Sequence, residues 1–253
     1  MHTDTAPGTP GTAQDRGDVP AGNRGLARTT GLLYLGLGIT GLLGFLVIRS
    51  QVYVPDNAEE TLARLIDREA LTRVCIALEL GIVITQALAA VWFFRLFREV
   101  DAFAAGCIAA FGLANALIVL TSSAFTATAV QVATDTSGGT ATGVTPSGST
   151  AETVQLLYLV STNLWQVGAI FFGLWLIPMG RCVLGTGSMP RPLGWVLIAG
   201  GVGYVVSCFV FYLAPDAEAV VTALVIPATV GEFWIIGYLL ARGTGTPGRG
   251  APA

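Results

Sequence analysis

The sequence predicts an all-α integral membrane fold: a bundle of six transmembrane helices, with a short amphipathic external helix between the first and second. Three observations carry this. Only 11% of the 253 residues are charged and 53% are hydrophobic, whereas a soluble domain carries roughly 25% charged residues. The apolar residues gather into long runs rather than spreading along the chain. The arginines concentrate in alternate connecting segments.

The spans are read from the gaps between charges. Twenty uncharged residues separate Arg28 from Arg49, which gives the first span, centred near Gly38. The second runs from Val74 to Phe94, interrupted only by Glu79. The third lies within Ala102–Thr128 and the fourth within Thr153–Gly180. The fifth covers Pro192–Ala214, and the sixth Ala219–Ala241, interrupted only by Glu232. Each reaches the roughly 20 residues that a helix needs to cross a hydrocarbon core of about 30 Å. Runs this long and this uniformly apolar do not fit the alternating strands of a barrel. Residues 28–242 therefore form the transmembrane domain. Residues 1–27 and 243–253, rich in Gly, Pro and Thr, read as disordered cytoplasmic tails.

With both termini inside, nine arginines fall in inner segments and four (Arg49, Arg64, Arg68 and Arg73) in outer ones. This follows the positive-inside rule and places the chain in a plasma membrane. Trp92, Trp175, Trp195 and Tyr238 are expected near the inner boundary, and Tyr53 and Tyr212 near the outer. Residues 57–72 read as the external amphipathic helix, capped by Asp56 or Asn57 and carrying the pairs Glu60–Arg64 and Glu69–Arg73. It serves either as an interfacial lead-in to the second span or as a lid over an external opening. Residues 134–150, rich in Thr, Gly and Ser, read as a flexible outer loop. Gly36, Thr40 and Gly44, and again Ala199, Gly203 and Ser207, put small residues four apart, which suits close helix packing.

Several chemistries are excluded by residue type. The single histidine is His2, in the tail, so no histidine base, haem ligand or zinc-binding helix is available. There is no lysine, hence no Schiff base and no phosphate loop of the Walker type. Gly185-Thr186-Gly187-Ser188 reads as a turn rather than a phosphate cradle. Cys75, Cys107, Cys182 and Cys208 have no metal-ligand spacing and read as small buried side chains. No basic stripe suits nucleic acid. No cofactor or metal is expected.

What remains is a set of polar side chains near mid-membrane. Counting from each helix centre puts Thr40, Gln86, Asn115, Asn163, Gln166, Tyr204 and Glu232 near one plane, with Glu79 further out. Interhelical glue is the plain reading for the amides and for Tyr204. A carboxylate in hydrocarbon is costly, about 2.5–3.5 kcal/mol. Glu232 should therefore face the bundle interior, with Asn163, Gln166 or Asn115 as its partner.

The pattern resembles a family of bacterial membrane proteins catalogued as domain of unknown function 4386. The residues that carry the resemblance are Arg28, Gly31 and Tyr34, then Val54-Pro55-Asp56 with Thr61, then Arg73. They continue with Phe172-Gly173-Leu174, Gly180, Pro190-Arg191-Pro192-Leu193-Gly194, Gly200, Gly203-Tyr204 and Gly231-Glu232. The family favours a small apolar residue where Pro192 stands. The resemblance implies the topology and no activity. Three functions compete. The first is a non-catalytic scaffold or regulator, whose partners are the bilayer and another membrane protein. The second is a small transporter or proton- and solute-handling protein that uses Glu232. The third, an enzyme acting on lipid, lacks a nucleophile or acid–base pair, although lipid binding without chemistry stays open.

Overall fold

A computed structural model describes residues 21–138 and 150–242. Every regular element among them is helical. The helices are α1 (Ala21–Gly41), a π-helical segment (Leu42–Ile48), α2 (Arg49–Val52), α3 (Ala58–Asp67), α4 (Glu69–Phe97), α5 (Ala102–Gly138), α6 (Thr150–Thr186), α7 (Arg191–Leu213) and α8 (Glu218–Ala241). Six helices are long and apolar enough to cross a membrane: α1 to α2 taken together, then α4, α5, α6, α7 and α8.

The six form a closed round. Each packs on the next in chain order, and α8 returns to α1. Gly31 of α1 packs against Leu239 and Leu240 of α8, so the first helix begins where the last one ends. This is the terminal end of the bundle; α2, α3 and the α7–α8 turn lie at the opposite, cap end. Asp101, between α4 and α5, pairs with Arg181 late in α6 at the terminal end.

Element boundaries differ from the expectation at several points. Helix α1 begins at Ala21, ahead of Arg28, while the rest of both expected tails lies outside the described residues. Helix α5 runs to Gly138 and α6 starts at Thr150. Most of the outer loop expected over 134–150 thus lies outside the described residues too. The amphipathic helix stops at Asp67, because Arg68 leaves the helical backbone region before α4 begins. Asn57 caps α3 by accepting from the Glu60 N–H at 3.0 Å, and both expected i,i+4 ion pairs form.

Glycines set the α6–α7 crossing. Gly173 on α6 and Gly201 on α7 lie against each other's carbonyls, where an added Cβ would come within 2.6 and 2.7 Å of oxygen. Gly180 and Gly194 repeat the arrangement nearer the terminal end. Pro192 is tolerated in the first turn of α7, where backbone N–H groups have no helical partner. Trp175, expected near the inner boundary, is 1% exposed and packs in the bundle core rather than on its outer face. Its ring fits because Gly112 of α5 has no side chain to fill that space. Trp195, at 63% exposure, lies on the surface.

Candidate functional site: two buried polar clusters

The first cluster lies toward the cap end and centres on Arg49. The π-helical segment changes the turn of the first span just before this residue. Its wider i→i+5 bonding gives the Gly44 carbonyl the Arg49 N–H, and the Cys75 thiol of α4 donates to the same oxygen at 3.4 Å. Such segments occur frequently at functional sites. The Arg49 side chain is only 6% exposed. Its guanidinium donates to Glu79 Oε1 of α4 at 3.3 Å. It also donates to three oxygens of α6: the Tyr158 carbonyl at 3.2 Å, Ser161 Oγ at 3.0 Å and Thr162 Oγ1 at 2.9 Å. The Tyr158 ring lies 5.6 Å from its carbon centre.

Ser161 passes the network on to α5, with Ser122 Oγ at 2.6 Å and Thr126 Oγ1 at 3.2 Å. The segment before α3 closes the cap end. Tyr53 stacks on Tyr158 at 5.5 Å between ring centres, and Thr61 both donates to the Val54 carbonyl and accepts its N–H. Glu79 is fully buried, and its Oε2 has no hydrogen-bond partner among the described residues.

The second cluster lies toward the terminal end. Tyr34 of α1, 2% exposed, donates its hydroxyl to Glu232 Oε1 of α8 at 2.5 Å. Its ring meets Phe93 edge-on at 5.3 Å and tilts against Trp175 at 5.7 Å. Tyr204 of α7 neighbours the same carboxylate and packs on Phe172. Glu232 itself is half-buried, between the exposed Phe233 and the buried Gly231.

The polar residues picked from the sequence form separate pairs rather than one network. Gln86 and Asn115 bond across α4 and α5 at 2.9 Å. Thr40 turns back to the Gly36 carbonyl of its own helix. Asn163 is exposed and donates to the Leu159 carbonyl, with the Tyr212 hydroxyl 3.5 Å away. Gln166 is half-buried, and its backbone carbonyl faces Cys208 Sγ at 3.8 Å. The expected amide partner of Glu232 is thus a phenol. Asn163 turns outward, and the Asn115 amide engages Gln86.

Sequence reasoning missed the roles of Arg49 and Tyr34. Arg49 was read as the end of a span, although a buried Glu79 needs a counter-charge and Arg49 is the arginine bounding the neighbouring span. Tyr34 and Glu232 both belong to the motif residues quoted above, which was the available signal. No group of three or more His, Cys, Asp or Glu among the described residues could hold a metal, and the four cysteines are free thiols.

No curated protein and no solved structure matches this chain. A family model does, over residues 29–243, and its description is domain of unknown function (DUF4386). That range takes in both clusters and, apart from the first residues of the first span, the six apolar helices. The chain, with six helices long and apolar enough to cross a membrane, belongs to this family, DUF4386.

Proposed function

We propose that this chain is a non-catalytic protein of the bacterial plasma membrane, with both termini inside and α3 on the outer surface. Its intramembrane polar groups act as interhelical locks, and Gln86, Asn115, Tyr204 and Glu232 fall in a band near the bilayer midplane. The nine-to-four division of arginines supports the orientation. On this reading the protein acts as a scaffold or regulator, through contact with another membrane protein or with the bilayer.

The observation that carries the reading is the coordination of Arg49. Its hydrogen bonds join the first span to α4 and to α6, so the most expensive charge in the bundle is spent on holding three helices together. Binding a substrate there would require breaking several of these bonds at once. The test measures thermal unfolding of purified protein in detergent. Arg49→Gln is expected to lower the melting temperature, and soluble solutes are expected to leave that of the wild type unchanged. A solute that raised the melting temperature of the wild type but not of Arg49→Gln would refute it.

A second reading is favoured by one specific contact. The 2.5 Å separation of Tyr34 and Glu232 is at the short end for a charge-assisted O–H···O bond. A proton- or solute-handling protein would use Glu232 in this way. Its test is flux into liposomes: Glu232→Gln should abolish the pH dependence of any flux that the wild type carries, and equal profiles would remove this reading.

A further inference from the structure

The α7–α8 hairpin has the least-covered pair of spans. Only 28% and 22% of their apolar windows are buried, against 50% for α6. Between them runs a groove of about 690 Å³. It exists because Gly200 and Gly203 draw α7 onto the α8 backbone at Leu224 and Ala228, while the small side chains Ala199, Ala219 and Ala223 leave the outer flank unfilled. Its walls are apolar throughout, with Val206 and Pro227 at its sides.

The cap end of the groove is different in kind. Ala219 and Val220 line it directly after the turn Pro215-Asp216-Ala217-Glu218. Asp216 and Glu218 are exposed, and neither is paired with a cation among the described residues. The turn holds no arginine, whereas the other end of the cap carries Arg64, Arg68 and Arg73. The apolar trough thus ends next to a turn that carries two unpaired carboxylates, a neighbourhood complementary to a molecule with a hydrocarbon chain and a cationic head.

We propose that this groove binds one acyl chain of an amine-headed phospholipid, with the ammonium held by Asp216 and Glu218. An ammonium brings a charge and hydrogen-bond donors to the carboxylates. An anionic glycerol headgroup brings hydroxyl donors but no positive charge to offset its phosphate, so it is repelled, and a second copy of this chain would bring another acidic turn to the first.

The experiment adds lipid to the delipidated, detergent-purified full chain and measures binding by native mass spectrometry and thermal shift. The probes are dioleoyl phosphatidylethanolamine and dioleoyl phosphatidylglycerol. The ethanolamine lipid is expected to bind about fivefold more tightly, the scale of one interfacial charge. Asp216→Asn/Glu218→Gln, in an exposed turn, should remove that preference and leave residual binding of both lipids. Ala223→Phe, which fills the trough from its lipid side, should remove the binding of both. Equal affinities, a preference for the glycerol lipid, or binding untouched by Ala223→Phe would overturn the proposal. So would an Ala223→Cys variant that forms disulfide-linked dimers in place of binding lipid.

Discussion

The two polar clusters solve one problem in different ways. Each buries a carboxylate between helices. Around Glu79 the solution is an opposite charge, which is itself held by three oxygens of α6. Around Glu232 it is a single phenol, with aromatic rings behind it. Glu79 is fully buried, whereas Glu232 lies half-buried at the α1–α8 seam. An ion pair with a hydroxyl shell fixes geometry, because every partner that moves leaves a charge unsolvated. A carboxyl–phenol pair stays satisfied whether or not the carboxyl carries a proton, because the phenol can donate or accept. The cap-end cluster is thus suited to hold the bundle, and the terminal-side cluster tolerates a change of charge.

The largest expected effect breaks the first of these. Arg49→Met or Glu79→Leu should each lower stability by about 3–5 kcal/mol, as when one partner of a buried pair is removed. The combined Arg49→Met/Glu79→Leu variant should recover most of the loss, because no charge is then left buried. The check is a double-mutant cycle of denaturant unfolding in micelles. Additive losses would mean that the two side chains do not act as a pair.

The second cluster depends on the packing behind Tyr34. Gly112→Ala places a methyl into the Trp175 ring and the Ala90 side chain. Overpacking of this kind costs about 1–3 kcal/mol. The displacement should also alter the tryptophan emission spectrum while the Arg49 cluster, in another part of the bundle, keeps its Arg49–Glu79 coupling energy. A spectrum unchanged by Gly112→Ala would mean that Trp175 does not seat there.

Tyr34→Phe is the more selective probe of the same cluster. It deletes one hydroxyl and leaves the ring stack in place, so the loss is that of a single partner of a half-buried carboxyl, about 1–2 kcal/mol. Glu232→Gln keeps an acceptor for the phenol and should cost less. If the order were reversed, the charge of Glu232 would matter more than its hydrogen bond, and the contrast between the clusters would disappear.

How much of this was legible from residues alone follows from what each signal measures. Charge gaps report helix length and hydrophobicity, so the six spans were readable. The resemblance pointed at Gly173, Gly180, Gly194, Gly200 and Gly203, and at each of these an added Cβ would meet the backbone of a neighbouring helix. Partners were not readable, for a physical reason: depth along a helix axis is a single coordinate, and contact also needs the helix's rotation. Asn163 was counted to the same depth as the other polar groups, yet its side chain is exposed. Arg49 lies past an apolar run, but a π-helical segment, which composition does not announce, carries it into the bundle. Tyr34 was legible as a motif residue and Glu232 as a costly acid. Joining them required the knowledge that α8 closes onto α1.

The smallest effect lies outside both clusters and sharpens the comparison by showing an acid in an ordinary setting. Asp101 caps α5 by accepting from the Ala104 N–H at 2.9 Å and pairs with Arg181 at 3.1 Å. The Ala104 hydrogen bond is the main reason that its carboxyl titrates below the usual aspartate range, and Arg181 adds to it. A carboxyl whose pKa is lower in the folded chain than in the unfolded one lends stability in full above the unfolded value, about 3.9. That contribution is lost as the pH falls through the folded value. Melting temperatures of wild type and Asp101→Asn should therefore differ slightly at neutral pH and converge in acid. Convergence in the opposite direction, with the difference growing as the pH falls, would show that the carboxylate form is not the one that the α5 cap and Arg181 stabilise.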